Sequence, residues 1–214
     1  MEDLDIDAKE DVEIKEISVE VLEKGVSLSE EPPKSYKAII HRYKKCSEDV
    51  QKYFEYLPGL VNDYPLEISI GYLFHRVESM HRMTLYIGVV KLHRANAGLA
   101  WPTIQKQELF REDFKIFFET IFKKKIPNNI TKKIKEAEEI RDMVMHGIWE
   151  GRRPSRQREA IADILEYSEK INIFINSLAK FRPFGDLRGV KGATKAVPKE
   201  TTRWILKGMG FKLS

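Results

Sequence analysis

The sequence contains a single cysteine, Cys46, so no disulfide can form within the chain. Long hydrophobic runs are also missing. The longest, residues 85–90, is far too short for a membrane-spanning helix, which needs about 20 apolar residues. The N-terminus is acidic, whereas a secretory signal begins with a positively charged region. Together these features predict a cytoplasmic protein that does not enter a membrane.

Several common catalytic signatures are missing as well. The sequence has no phosphate loop of the Walker type, no dinucleotide-binding glycine fingerprint, and no cysteine and histidine spacing typical of zinc. We therefore expect neither a cofactor nor a metal. Cys46 lies on a stripe of apolar residues with helical spacing, which favours a buried structural thiol over a nucleophile.

Charge is distributed unevenly along the chain. Residues 1–33 carry a net charge of −9 while the whole chain carries +4, so the remainder carries +13. A basic body attracts polyanions, although lysines can equally serve only to solvate helix surfaces. We interpret residues 1–33 as an acidic extension with one short strand around Ile17, Val19 and Val21. Residues 182–214, with eight basic and two acidic side chains, are interpreted as a basic tail.

Residues 34–181 have the pattern of a helical bundle. Apolar residues recur there at intervals of three and four, which places them on one face of a helix. The predicted helices cover approximately residues 36–57, 65–96, 110–122, 130–148 and 161–178. Trp101 and Pro102 are predicted to lie in a loop, and a basic turn at residues 151–154 precedes the last helix. We therefore predict an all-α bundle of about five helices with antiparallel neighbours.

The segment from Glu138 to Gly147 contains the most informative polar residues. Asp142 and His146 are four residues apart on one helix face, so the carboxylate can orient the imidazole. Arg141 lies about 100° away around the helix, and the glycine allows the helix to end. A guanidinium beside a titratable imidazole suits phosphate chemistry, because the first stabilises phosphoryl charge and the second moves a proton. The alternative is a set of surface ion pairs without catalytic function.

This segment resembles the signature of HEPN domains, in which an arginine and a polar residue are followed, a few positions later, by a histidine and often a glycine. The match runs from Arg141 to Gly147 in the next-to-last predicted bundle helix. By architecture the resemblance covers roughly residues 36–181. The sequence departs from the family at Asp142, where HEPN proteins often have asparagine. A carboxylate there repels RNA phosphate, although it can orient the histidine.

A second pair with the same spacing, Arg76 and His81, lies in the middle of a predicted helix. Its arginine is followed by the apolar Val77 rather than by a polar residue. The later match also precedes a basic turn and a final amphipathic helix, as the HEPN architecture requires. We therefore assign the HEPN-like motif to Arg141 and His146.

The resemblance implies a metal-independent endoribonuclease with Arg141 and His146 as the catalytic pair and Asp142 in support. The implied reaction is attack of a ribose 2′-hydroxyl on the adjacent phosphodiester, which yields a 2′,3′-cyclic phosphate and a 5′-hydroxyl. It also implies a symmetric homodimer. Many HEPN proteins act in toxin–antitoxin, phage-defence or RNA-processing systems, which implies RNA and a cognate antitoxin or another protein as partners. Other members have lost activity and bind RNA or a protein.

Further residues are predicted to contact RNA, either because their positive charge binds phosphates or because their ring stacks on bases. They are Arg152, Arg153, Lys191, Lys195 and Trp204. In an alternative reading of the tail, its apolar residues 204–206 dock as a short helix on the same subunit, or on a partner protein.

Overall fold

The computed structural model describes residues 31–107, 109, 111–185 and 195–213. Within these ranges the chain forms nine α-helices and no β-strand, which confirms the all-α prediction for this part. The α-helices are α1 (Tyr36–Lys45), α2 (Glu48–Tyr53), α3 (Leu57–Asp63), α4 (Leu66–Leu92), α5 (Ala97–Gln105), α6 (Arg111–Phe122), α7 (Asn128–Met145), α8 (Pro154–Ala179) and α9 (Lys199–Gly208). A short 3-10 helix, Trp149–Arg152, joins α7 to α8. The strand predicted around Ile17 lies outside the described residues.

The helix count exceeds the predicted five, partly because the segment predicted as one helix at residues 36–57 is divided into α1 and α2, and α3 begins at its last residue. α1 ends at Lys45, and its C-cap residue Cys46 has an extended backbone. The backbone N–H and the hydroxyl of Ser47 both donate to a carboxylate oxygen of Glu169 on α8, at 2.5 and 2.8 Å. This contact joins residues far apart in the sequence, so the apolar spacing around Ser47 could not reveal it.

The prediction of a loop at Trp101 and Pro102 is also wrong, because both residues lie inside α5. The side chain of Asn96 caps this helix by accepting a hydrogen bond from the backbone N–H of Leu99 at 3.2 Å. The Trp101 ring packs edge to face against Tyr86 of α4, with 5.2 Å between ring centroids. Capping and aromatic packing thus stabilise a helix that contains a proline.

The core lies around α4, which contacts α3, α5, α6, α7 and α8. α4 has 27 residues and is therefore about 40 Å long. Its middle carries the buried His81, which stacks on Phe114 of α6 and lies 2.6 Å from the hydroxyl of Tyr167 on α8. α7 and α8 are joined by the short 3-10 connection and pack antiparallel against each other. Among the described residues, no helix is both long and apolar enough to cross a membrane.

The C-terminal helix α9 packs on the bundle of the same subunit. Leu206 is fully buried, and the hydroxyl oxygen of Thr202 accepts a hydrogen bond from the backbone N–H of Asn96 at 2.9 Å. Beyond α9, the Phe211 ring stacks on Phe117 of α6 with 4.3 Å between centroids. A short helix therefore does dock on the same subunit, but it docks through Thr202 and Leu206, whereas Trp204 is exposed to solvent.

Candidate functional site

His146 lies where α7 ends. Gly147 adopts a positive φ of 71°, which reverses the chain after the histidine. Its N–H donates to the carbonyl of Val144 at 3.1 Å, and the N–H of Ile148 donates to the carbonyl of Met143 at 2.8 Å. These two bonds form a Schellman motif. α7 therefore ends at Met145, three residues earlier than predicted, and His146 projects from its end with an exposed side chain.

The connection after His146 is held tightly against α7. A Cβ atom at the buried Gly151 would lie only 2.6 Å from the Cβ of Met143 and 2.8 Å from the backbone nitrogen of Val144. Only glycine allows the backbone to approach this closely. This contact fixes the 3-10 turn beside the histidine.

Three large apolar side chains around His146 are exposed to solvent. Met145 is 74% exposed, Trp149 is 70% exposed and Ile148 is 45% exposed. We call these three residues the apolar rim. Within the described part of the chain, the His146 ring has no hydrogen-bond partner. The end of α7 therefore presents an available imidazole within an apolar surface of the kind that associates with another molecule.

Arg141 lies more than one turn before His146 and is held by three carboxylates. Its guanidinium nitrogens lie 2.8 Å from Asp142, 3.4 Å from Glu138 and 3.6 Å from Glu78 of α4. The guanidinium also stacks over the ring of Phe74, 4.6 Å from its centroid. The side chain is thus rigidly placed, and its charge is compensated within one subunit.

Asp142 binds the arginine rather than the histidine. Its carboxylate accepts two hydrogen bonds from Arg141, at 3.0 and 2.8 Å. The expected hydrogen bond from the His146 imidazole to this carboxylate is not formed among the described residues. In the single subunit, Asp142 therefore supports the cation of the motif and leaves the imidazole without an orienting partner.

Sequence reasoning did not identify Glu78 and Phe74 as neighbours of the motif. Both lie on α4, more than 60 residues before Arg141. No local spacing connects them to it, and the contact arises only because α4 and α7 pack together. In the sequence, only the charge of Glu78 among the mostly apolar residues of α4 could have indicated that it has a polar partner on another helix.

Arg76 and His81, the second pair with the spacing of the motif, make contacts that stabilise the fold. His81 is buried, and burial lowers the pKa of its imidazole to about 3, with a smaller contribution from the nearby cation of Arg82. Arg76 donates two hydrogen bonds to the carbonyl of Tyr53, at 3.1 and 2.9 Å. Its guanidinium also lies over the Tyr53 ring, 3.9 Å from the centroid. This pair stabilises the interior and leaves the end of α7 as the candidate site.

The residues predicted to contact RNA fall into two groups. Arg153 is exposed in the connection after His146, at the same end of the bundle. Lys195 is exposed just before α9, and Trp204 is exposed on α9 itself. This helix packs on α5. Lys191 and the side chain of Arg152 lie outside the described part of the structure. No cluster of three or more potential metal-binding side chains occurs among the residues described.

Comparison with known proteins gave no match: no family model matches the chain, and no curated protein or solved structure is significantly similar to it. The HEPN resemblance therefore rests on the Arg141–His146 motif and on the helical bundle around it.

Proposed function

We propose that this chain is a HEPN-like, metal-independent endoribonuclease that acts as a toxin or defence effector. The observation that carries the proposal is the available imidazole of His146 at the end of α7, with the guanidinium of Arg141 held in place five residues earlier on that helix. The imidazole would remove the proton of a ribose 2′-hydroxyl, whose oxygen attacks the adjacent phosphorus. The guanidinium would stabilise the negative charge on the phosphoryl oxygens.

The same reaction requires a proton for the departing 5′-oxygen. In a two-fold dimer formed through the apolar rim, the protonated His146 of the second protomer would supply it. Association of this kind would also remove Met145, Ile148 and Trp149 from water, which supports a self-complementary contact. The phosphate would have to displace a carboxylate from Arg141, and Asp142 is the most exposed of the three that hold it.

A second candidate function is a catalytically silent HEPN-like module that binds RNA or a protein, such as a cognate antitoxin. The three carboxylates around Arg141 favour this alternative, because they compensate the charge that a catalytic arginine offers to a phosphate. The two functions differ in whether RNA is cleaved or only bound.

Incubation of the purified protein with mixed RNA in the presence of a chelator tests the proposal. We expect cleavage by the parent and by His41→Ala, a control at another exposed histidine. His146→Ala and Arg141→Ala should not cleave, and the parental fragments should end in 2′,3′-cyclic phosphates. Parental cleavage by His146→Ala would reject the site. A parent that binds RNA without cleaving it would favour the silent module.

A further inference from the structure

The helix α9 has two different faces. Thr202 and Leu206 are fully buried against the bundle. Trp204 lies between them in sequence, about 200° around the helix from Thr202. Its side chain is therefore on the opposite face, and it is 79% exposed. Because α9 is fixed to the bundle by one face, the indole ring remains in solvent.

Cations lie beside this tryptophan. Lys199, Arg203 and Lys207 are spaced four residues apart, form one stripe and are all exposed. We call these three residues and Trp204 the α9 outer face. In the described part of the chain none of the three cations has an ion-pair partner, nor has Glu200, the acidic residue of this helix. In contrast, lysines of α2 and α8 pair with carboxylates one turn away.

We propose that the α9 outer face binds single-stranded RNA, separately from the site at His146. An exposed indole stacks on bases of any sequence, while neighbouring lysine and arginine side chains bind the phosphates. An anionic membrane fits this face less well. Helices that lie on membranes insert their apolar face, and the apolar face of α9 is buried against the bundle. The inference rests on the proposed function in taking RNA as the ligand.

The two sites contact different parts of α4, the first near its middle and the second just beyond its last residue. Arg141 contacts Glu78, whereas α9 packs beside Asn96, just after α4 ends at Leu92. The 14 residues between Glu78 and Leu92 span about 21 Å of helix. A strand that touches both sites must therefore bridge on the order of 20 Å, which takes several nucleotides.

This separation predicts the substrate class, which is unpaired RNA long enough to extend from one site to the other. A shorter strand would reach the His146 site without contacting α9 of the same subunit. The α9 outer face would then raise the affinity for long strands while leaving the chemistry on short strands unchanged.

Fluorescence anisotropy with labelled oligouridylates of about 20 and about 5 nucleotides tests the inference. The measurements use the full chain with His146→Ala, so that the RNA stays intact. Trp204→Ala should weaken binding of the long strand about fivefold or more, because one stacked base is lost. Replacing Lys199, Arg203 and Lys207 together by glutamate should lower the salt dependence by about two units, because three phosphate contacts are lost.

Two matched controls lie on α1. Tyr36→Ala removes another exposed aromatic ring, and Lys44→Glu reverses another exposed lysine. Both should bind the long strand like the His146→Ala parent. All variants should keep the parental helical spectrum, because the substituted side chains are exposed.

Unchanged binding of the long strand by Trp204→Ala and by the triple variant would overturn the inference. So would α9-dependent binding of phosphatidylserine vesicles without α9-dependent binding of RNA. If α9 variants lose RNA binding and the parent never cleaves RNA, the inference stands and the endoribonuclease is rejected. If the parent cleaves RNA and α9 variants cleave long strands equally fast, the inference fails and the proposed function stands.

Discussion

The histidines of two arginine–histidine pairs with identical spacing have opposite environments in this fold. Arg76 and His81 lie inside α4, where the arginine binds a backbone carbonyl and the histidine is buried between α6 and α8. Arg141 and His146 lie at the end of α7, where the histidine is exposed. The motif therefore does not define a site by itself. Its position relative to a helix end determines whether the imidazole is in the core or in solvent.

Replacing His81 or His146 with alanine should distinguish their roles most clearly, because only one of the two changes should lower the free energy of unfolding substantially. His81→Ala should lower the free energy of unfolding by about 3 kcal/mol, because it leaves a cavity beside Phe114 and an unpaired hydroxyl on Tyr167. His146→Ala should change it by less than about 0.5 kcal/mol, because the side chain is exposed. Urea denaturation of both variants checks the difference. Equal losses in the free energy of unfolding would show that the His146 side chain stabilises the fold.

The end of α7 should also affect assembly, which the buried His81 cannot do directly. Trp149→Ala should weaken self-association about tenfold or more, because it removes the largest side chain of the apolar rim. Trp204→Ala is the matched control, since it removes a similarly exposed indole from α9. Sedimentation equilibrium measures both. A parent that stays monomeric at micromolar concentration would rule out pairing through the rim.

A smaller effect is expected on the pH dependence of the free energy of unfolding. The pKa of His81 is about 3 in the folded chain and near 6.5 when unfolded, so the unfolded state binds more protons between these values. Its contribution to stability is complete above pH 6.5 and is lost as the pH falls. From pH 7 to 5.5 this amounts to about 1 kcal/mol. Asp163 acts in the opposite direction, because burial raises its pKa to about 6 despite the attraction of Lys133.

The comparison of the parent with His81→Phe isolates the histidine from Asp163. The stability difference between the two proteins should shrink by about 1 kcal/mol between pH 7 and 5.5, because phenylalanine does not titrate. Chemical denaturation at both pH values measures it. A pH-independent difference would mean that His81 titrates normally in the folded chain.

The sequence predicted the parts of this structure that depend on local spacing. The long helix predicted at residues 65–96 is α4, and the glycine after His146 does end α7. The division of the first helix was missed because it depends on Glu169, 122 residues from Ser47. For the same reason the sequence indicated Arg141 and His146 but not Glu78. Residues on one helix share a period, whereas partners on different helices are set by packing.

The rate of RNA cleavage in chelator, measured for His146→Ala and His81→Phe at equal concentrations of folded protein, tests whether the catalytic histidine is the one at the end of α7. His146→Ala should cleave more slowly than the parent by about 100-fold or more, because the general base is lost. His81→Phe should cleave at close to the parental rate, because its histidine is buried in the core and has no access to RNA. Parental cleavage by His146→Ala, with or without a loss in His81→Phe, would contradict the assignment of the site to the end of α7.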